Sequence, residues 1–513
     1  MKKIKEIFLF ATLAASAMQA YSADYWFFNK DGLYTYSAPE NWYTAWNGTP
    51  IGHAPDEGTD NPRICFDIGK LIIDKPIEIS TTALFFTDKA ATIEGETITV
   101  KNYVNSEGVA QSSCTLTNQV TYGTSISGKL TVNTDLVLKS ASTTQNVTYF
   151  VSSGNANDVT VNGNISVVAD SIDGAMTKFN DDLLKVSWVT TSSAIGLGTG
   201  NVYLNGAIDL SRSMGTWYNT GRLQITGRST STAPTENPYA VIGGNQSNNV
   251  SGIKLENSAS VVLAKKDNAL AGNIIESRGN NLVTFMYDQQ AKNTESLRVM
   301  NARPNVLGDT VNGHTPLILR LNGTTQEFAC ARLELDQWGQ NPLNATGLYQ
   351  YLQVDFAKGY ASDLGINTTP SVLIFGSGDQ ALQLNTNIAV TNTGTRLETD
   401  EAKIANRENA IKSGIILVNY DYENGDRIYF NSDKVLLADS KYYDDISKIS
   451  TDVIDHIWLD EGVKDVDYKL SLELEDRYYA VVVTAIPEPA TFAAIFGIGA
   501  ISIALGARRK VNK

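Results

Sequence analysis

The stretch Gly128-Lys-Leu-Thr-Val-Asn-Thr-Asp-Leu-Val-Leu138 consists of two short runs of β-type residues around the polar corner Asn133-Thr-Asp135. Polar and apolar residues alternate in the first run, so one face of a strand would enter a core while the other meets solvent. Asn and Asp in the corner favour tight bends. The stretch therefore predicts two strands that meet at a sharp turn.

The same pattern recurs along the chain, at residues 158–168, 200–210, 221–226 and 252–263. The recurring segments begin near 128, 157, 200, 221 and 252, which gives steps of 29, 43, 21 and 31 residues. Such steps are near the coil lengths of a β-solenoid that carries loop insertions. We expect an all-β protein, with a string of antiparallel sandwiches as the alternative to a solenoid.

Two segments resemble the passenger repeats of autotransporter adhesins. One is Leu197-Gly-Thr-Gly-Asn-Val-Tyr-Leu-Asn-Gly206. The other starts with Gly243-Gly-Asn-Gln-Ser-Asn-Asn-Val-Ser-Gly252, continues to Ala264 and closes with Asn268-Ala-Leu270. The resemblance covers residues 120–390 loosely and implies a right-handed parallel β-helix, whose repeat body we place at residues 116–399.

The first residues have the pattern of a secretory signal peptide. Lys2, Lys3 and Lys5 form a positive start, and residues 7–17 form a short apolar segment. Small residues follow, which suits a cleavage site between Ala17 and Asp24. We therefore expect residues 1–23 to be an export signal and the rest of the chain to be exported.

The last residues have the pattern of a membrane anchor. The 18 residues 490–507 carry no charge, and at about 1.5 Å per residue they make a helix of about 27 Å, close to the roughly 30 Å of a bilayer core. The basic residues after the span predict a cytoplasmic C-terminus. The anchor residues are Ala490, Phe492, Ile495, Phe496, Ile498, Ile501, Ile503 and Leu505, and the basic stop is Arg508, Arg509, Lys510 and Lys513.

The motif Pro487-Glu488-Pro489 lies directly before this span. Two prolines remove two backbone donors and favour an extended, exposed segment. Together the motif, the span and the basic end resemble the PEP-CTERM sorting signal at residues 487–513. The resemblance implies an exosortase-like processing enzyme as a partner, whereas the alternative is a plain single-span anchor.

The composition restricts the partners of the exported body. The whole chain has a net charge of −14 although both ends are basic, so the body is strongly acidic. Such a body is unsuited to nucleic acid and to anionic lipid, and it attracts cations such as Ca²⁺. The three cysteines, Cys65, Cys114 and Cys330, are far apart and odd in number, which predicts neither a disulfide scaffold nor a metal site.

Residues 24–115 contain Trp26, Trp42 and Trp46 close together. Because the terminal coil of a solenoid exposes its core and its edge, it needs a cap. We interpret this segment as a Trp-rich N-terminal cap with the first β coils. The functional alternative is a platform on which tryptophan rings stack against sugars.

Residues 400–486 have the pattern of a small C-terminal β domain. A short helix is predicted at 400–412 because Ile404 and Ile411 are spaced along one face. Residues 415–420 and 427–430 flank the turn signal Glu423-Asn-Gly-Asp426, which predicts a hairpin. A second hairpin is predicted from 468–474 and 477–483.

Residues that could carry chemistry are sparse in the sequence. His53, His314 and His456 each stand alone, and no nucleophile elbow, phosphate loop or dinucleotide fingerprint is present. Acidic clusters at 56–60, 421–426 and 444–445 could bind calcium through carboxylate oxygens. We interpret them as solvated loops, with the cluster at 421–426 explained by its turn, and we expect no resident cofactor.

Two functions remain open from the sequence. The first is a non-enzymatic surface or matrix protein of structural or adhesive type, located at the envelope of a Gram-negative-type bacterium. The second is a carbohydrate-binding or polysaccharide-cleaving β-helix. Acids clustered with an Arg or Lys beside exposed aromatic residues on one face would favour the second function. A face covered by Ser, Thr and Asn would favour the first.

Overall fold

The structure is a computed structural model, and it describes parts of the chain between residues 24 and 486. The described residues are 24–27, 34–45, 48–55, 61–66, 70–80, 84–87, 91–101, 113–118, 130–140, 148–153, 158–169, 182–188, 200–210, 222–227, 234–266, 274–292, 294, 296–300, 317–328, 332–336, 351–359, 368–376, 382–385, 414–430, 435–437, 442–443, 454, 457–461, 464–476 and 478–486. The predicted signal peptide, sorting motif, membrane anchor and helix at 400–412 lie outside these residues.

The chain divides into two compact units, Met1–Val283 and Thr284–Lys513. Both units are built from short strands in mainly parallel sheets, which confirms the all-β class and is consistent with a parallel β-helix. Single-turn 3-10 helices lie at Pro39–Asn41 and Pro234–Glu236.

Within the described ranges, no helix has the length and apolar character needed to cross a membrane.

The strands of the first unit are short. They are β1 Asp24–Phe27, β2 Trp42–Tyr43, β3 Asn61–Phe66, β4 Lys70–Ile73, β5 Ile77–Ser80, β6 Leu84–Thr87, β7 Ala91–Gly95, β8 Ile98–Lys101, β9 Ser113–Asn118, β10 Leu130–Val132, β11 Leu136–Ser140, β12 Thr148–Ser153, β13 Val159–Val161, β14 Ile165–Ala169, β15 Asp182–Ser187, β16 Val202–Leu204, β17 Ile208–Asp209, β18 Arg222–Thr226, β19 Tyr239–Ile242, β20 Gly252–Glu256, β21 Ser260–Leu263 and β22 Ile274–Arg278. Strand β23, Asn281–Phe285, spans the boundary between the units.

Three parallel sheets form the body of the first unit. Sheet 1 has the order β4-β7-β10-β13-β16-β19-β21, sheet 2 has β5-β8-β11-β14-β17, and sheet 3 has β9-β12-β15-β18-β20-β22. One pass of the chain adds one strand to each sheet, as β10, β11 and β12 do before β13, β14 and β15. Strands β2, β1, β3 and β6 form a separate sheet in that order.

The register of these sheets stacks apolar residues on apolar residues. In sheet 1, Leu130 pairs with Val159, which pairs with Val202. In sheet 2, Leu136 and Ile165 pair in the same way. All of these side chains are buried, so the period-two alternation of the sequence forms a continuous apolar column along the stack.

The predicted coil spacing is correct at the start and wrong later. Strands β10, β13 and β16 stack at separations of 29 and 43 residues. The segments at 221 and 252 do not continue this column, because β18 and β20 belong to sheet 3 and pair with each other. The predicted step of 21 residues therefore joins two sheets within one pass and is not a coil length.

The second unit is built from strands β24 to β37. They are β24 Ser296–Met300, β25 Leu317–Arg320, β26 Thr325–Phe328, β27 Arg332–Asp336, β28 Tyr351–Asp355, β29 Val372–Phe375, β30 Leu382–Asn385, β31 Gly414–Val418, β32 Arg427–Phe430, β33 Val435–Leu437, β34 Tyr442–Tyr443, β35 Ile457–Leu459, β36 Tyr468–Glu475 and β37 Tyr478–Ala485. Strands β25-β28-β31-β35, β24-β27-β30-β33 and β26-β29-β32 are parallel in these orders. Three antiparallel pairs are described in this unit, β33 with β34, β32 with β37, and β36 with β37.

One of the two predicted C-terminal hairpins is wrong and the other is confirmed. Strand β31 pairs with β28 and β35, while β32 pairs with β29 and β37, so the two strands around Asn424-Gly425 lie in different sheets. The turn there is a corner between sheets, because both strands extend parallel stacks. Strands β36 and β37 do form an antiparallel hairpin, which turns at Asp476 with φ of 55°.

Candidate functional site

The corners between sheets 1 and 2 carry a ladder of asparagine side chains. Asn162 Nδ2 donates to Asn133 Oδ1 at 2.8 Å, and Asn205 Nδ2 donates to Asn162 Oδ1 at 2.8 Å. The three residues come from successive passes of the chain, at the same position of each corner. Identical amides can repeat this bond because each one is both a donor and an acceptor.

A second ladder runs beside the first and joins side chains to backbone. Asp135 Oδ1 accepts from Asn164 N at 2.8 Å, and Asn164 Oδ1 accepts from Ala207 N at 2.9 Å. Between the ladders the backbones approach closely, since a Cβ on Gly163 would lie 2.0 Å from Thr134 O and one on Gly206 would lie 2.0 Å from Gly163 O. Glycine is required at these corners for steric reasons.

A lysine is buried next to the end of these ladders. Lys265 is only 1% exposed. Its Nζ donates to Asn248 Oδ1 at 2.6 Å, to Gln246 O at 2.7 Å and to Gly206 O at 3.0 Å. The ammonium group therefore has three oxygen acceptors, as a buried charge requires. Burial lowers the pKa of Lys265 to about 8.

The outward face of sheet 3 carries a second polar assembly, which we call the charged grid. It consists of Arg222, Gln224, Lys254, Glu256, Glu276 and Arg278. The sheet register places Lys254 opposite Glu276, and Glu256 opposite Arg278. Opposite charges thus alternate both along the strands and across them, which is the favourable arrangement for cross-strand pairs.

Glu276 is the centre of the charged grid and is 3% exposed. It accepts from Arg222 Nη1 and from Arg278 Nε, each at 2.7 Å. Burial alone would raise the pKa of Glu276, but the charges of Arg222, Arg278 and Lys254 outweigh it and hold the pKa below its ordinary value. A carboxylate held in this way is a poor proton acceptor, so the grid is suited to cohesion between strands.

Glu256 is the second carboxylate of the grid. Its Oε2 accepts from Gln224 Nε2 at 2.7 Å, and its Oε1 lies 3.1 Å from Lys254 Nζ. These contacts join strands β18 and β20, while those of Glu276 join β18 and β22. The grid therefore ties three successive passes of the chain together.

In the second unit, a cluster of tyrosines surrounds one carboxylate on the outer face of β32, β36 and β37. This tyrosine cluster consists of Tyr422, Arg427, Tyr429, Glu475 and Tyr478. Glu475 accepts from Tyr422 Oη at 2.9 Å, from Tyr429 Oη at 2.7 Å and from Arg427 Nε at 3.3 Å. All five side chains are partly exposed.

Ring contacts fix the geometry of the tyrosine cluster. The Arg427 guanidinium lies 4.0 Å from the centre of the Tyr422 ring, and the rings of Tyr429 and Tyr478 are 5.4 Å apart. Burial and the hydrogen bond to Glu475 raise the pKa of Tyr429 to about 12. Burial would raise the pKa of Glu475, yet the bonds from Tyr429 and Tyr422 lower it on balance.

The structure describes only part of the residues that the sequence singled out. Trp42 is fully buried, donates from Nε1 to Tyr36 O at 2.8 Å, and packs edge-to-face on Phe27 and Tyr36. Its ring belongs to a core, which argues against a sugar platform at this position. Trp46, the sorting motif, the anchor and the basic stop lie outside the described residues.

The predicted acidic and histidine sites show no shared geometry where they are described. Asp421 accepts from Asn424 N and Nδ2, and Asp426 accepts from Ser371 N, so this cluster is explained by its turn. His53 is exposed, with Nδ1 2.7 Å from Ala54 O. His314, His456 and the clusters at 56–60 and 444–445 lie outside the described part, within which no group of three potential metal ligands occurs.

Sequence reasoning did not identify Lys265, the charged grid or the tyrosine cluster. Their residues lie far apart in the chain, at separations such as 54 for Arg222 and Glu276 and 46 for Tyr429 and Glu475. The available signal was the alternation of charged residues in 252–256 and 274–278, which becomes informative only when the two segments are aligned as neighbouring strands.

Comparison with known proteins gives no relative. No family model, no curated protein and no solved structure matches the chain.

Proposed function

We propose that the chain is an exported surface or matrix protein of a Gram-negative-type bacterium, with a structural or adhesive function and no catalytic one. Its body would be a right-handed parallel β-helix with an N-terminal cap at 24–115 and a small C-terminal β domain at 400–486. The span at 490–507 would hold it in the cytoplasmic membrane until an exosortase-like enzyme acts at Pro487-Glu488-Pro489.

The observation that carries this proposal is how the polar side chains of the body are used. The asparagine ladder and the charged grid both connect one pass of the chain to the next, over the range from Asn133 to Arg278. Bonds in this direction resist separation of neighbouring passes. A stack reinforced in this way suits a rigid spacer or an adhesive surface.

The export and sorting part of the proposal rests on the two ends of the sequence. Its test compares the wild-type chain with a variant in which Pro487, Glu488 and Pro489 are changed to alanine, in the native host. We expect the wild type to lose the mass of its tail and to leave the cytoplasmic membrane, while the variant stays full-length and anchored. If both chains keep the tail and stay in the membrane, the sorting signal is excluded and a plain anchor remains.

A carbohydrate-binding function is the second candidate, and the tyrosine cluster favours it. The cluster combines partly exposed rings with an Arg and a Glu on one face, and aromatic rings stack well on sugar rings. Binding to a panel of soluble neutral and acidic polysaccharides tests it. Binding that Tyr478→Ala abolishes, while Tyr203→Ala on sheet 1 leaves it unchanged, would support this second function.

A further inference from the structure

The side chains of Lys265 and Asn248 form a contact with the geometry of a reactive pair. The Lys265 Nζ lies 2.6 Å from the Asn248 Oδ1, and the two residues are 17 positions apart in the chain. Both side chains are buried, at 1% and 5% exposure. An amine is thus held against an amide carbonyl in a place from which water is largely excluded.

The carbonyl of Asn248 is polarised by a second donor. Its Oδ1 also accepts the backbone N–H of Ile208 at 3.0 Å. A fixed donor on this oxygen would stabilise the negative charge that develops when a nucleophile attacks the carbonyl carbon, as the donors of an oxyanion hole do. The backbone of β17 supplies this donor, and the sheet register holds it in place.

Lys265 has the properties of an activated amine. Its pKa of about 8 leaves about a tenth of the side chain neutral at pH 7, and only the neutral amine is a nucleophile. Gly206 O and Gln246 O, at 3.0 and 2.7 Å, orient the nitrogen and can accept its protons in hydrogen bonds. Fixed orientation of this kind can raise the rate of an intramolecular reaction by many orders of magnitude.

We propose that Lys265 and Asn248 form an intramolecular isopeptide bond after folding. The Lys265 Nζ attacks the Asn248 Cγ, a new Nζ–Cγ bond forms, and the Cγ–Nδ2 bond breaks. The proton lost by the amine passes to the departing Nδ2, which leaves as ammonia. The reaction needs no oxidant, reductant or other reactant, and it converts one amine and one primary amide into one secondary amide.

The isopeptide bond would close a loop that contains strands β20 and β21. It would tie a corner of one pass of the chain to the strand end of a later one, near Gly206. The bond would add covalent strength to the same direction that the asparagine ladder reinforces. The inference depends only on the folded body and is independent of the sorting tail.

Peptide mass spectrometry tests this inference on the full-length chain. The chain is produced in a bacterial host, incubated folded at about pH 9, where most of the amine is neutral, and digested with trypsin. Trypsin cuts after Arg228, Lys254 and Lys266 but cannot cut after an acylated Lys265. We expect peptide 229–254 joined to peptide 255–266, with a combined mass lower by about 17 Da, the mass of the ammonia released in the attack.

Three variants make the assignment specific. Lys265→Arg keeps the cation and its hydrogen bonds, Asn248→Ala removes the electrophile, and both should abolish the joined peptide. Asn249→Ala changes the neighbouring exposed asparagine and should keep it. Because the wild-type peptides are informative alone, the result does not depend on whether the first two variants fold.

Two outcomes would overturn the inference. One is recovery of the separate linear peptides 229–254 and 255–265 from wild-type protein after the incubation. The other is a loss of about 17 Da within a single linear peptide while trypsin still cuts after Lys265, since that pattern indicates a succinimide formed by attack of a backbone nitrogen on an asparagine.

Discussion

The two units stack their passes with different side chains. In the first unit the core column is aliphatic, through Leu130, Val159 and Val202, and the corner beside it repeats asparagine. In the second unit the corresponding column is aromatic, because Phe328 pairs with Phe375, which pairs with Phe430. These rings follow each other at 5.9 Å between centres.

The corners differ in the same sense. In the second unit the corner contacts use different residue types, since Gly323 N donates to Ser371 Oγ at 2.9 Å and Ser371 N donates to Asp426 Oδ1 at 2.8 Å. Small aliphatic side chains fit several registers, whereas a repeated amide ladder satisfies its bonds in one. We infer that polar corners fix the register of the first unit, and that ring volume does so in the second.

The corner glycines give the strongest test of the first half of this comparison. Gly163→Ala would place a Cβ 2.0 Å from Thr134 O, so neighbouring passes must separate and both ladders weaken. We expect a loss of more than about 4 kcal/mol in the free energy of unfolding, as for other severe steric substitutions. Chemical denaturation of the exported body measures it.

Gly279→Ala is the matched control for this substitution. Gly279 has φ of 104° but no atom within 4 Å of the added Cβ, so only backbone strain of about 1–3 kcal/mol applies. Equal losses for the two variants would show that the close approach of the corner backbones has no special role.

The aromatic column of the second unit should be more sensitive to truncation than the aliphatic column. Phe375 and Val159 are both fully buried. Phe375→Ala removes a ring that contacts two others and should cost about 3–5 kcal/mol, while Val159→Ala removes two methyl groups and should cost about half of that. Unfolding of each unit, followed by hydrogen exchange, measures the two losses separately. A larger loss for Val159→Ala would contradict the role assigned to ring volume.

The sequence predicts the strands of this protein better than it predicts their neighbours. Alternation and the Asn corners located β10, β13 and β16 and their stacking distance. The same kind of signal at Asn424-Gly425 predicted a hairpin that does not exist, because a sharp corner is needed both when a chain reverses and when it moves to the next sheet.

The side-chain assemblies were beyond sequence reasoning for a related reason. Glu276 and Arg222 are ordinary charged residues of two separate strands until the register brings them to 2.7 Å. Lys265 follows an apolar strand and resembles any surface lysine in the sequence. Its burial depends on how Gly206 and Asn248 are placed by other passes of the chain.

The charged grid sharpens the comparison, since it is a polar device of the first unit outside the corners. Glu276→Gln removes the charge that neutralises Arg222 and Arg278, and we expect a loss of about 3 kcal/mol at pH 7, as for other broken buried ion pairs. Urea denaturation of the two proteins measures it. Glu94→Gln, in the exposed pair of Glu94 with Lys70 at 2.6 Å, is the control and should cost less than about 1 kcal/mol.

Acid pH should remove the difference between wild type and Glu276→Gln. The folded-state pKa of Glu276 lies below its ordinary value of 4.5, so the unfolded chain takes up the proton first as the pH falls. The stabilisation is therefore complete above about pH 5 and is lost as the pH falls through the lower, folded-state pKa. Denaturation midpoints between pH 7 and pH 3 should converge for the two proteins. A difference that persists at the acid end would mean that Glu276 acts through its shape and hydrogen bonds, and then the polar assemblies of the first unit would fix register without any contribution from charge.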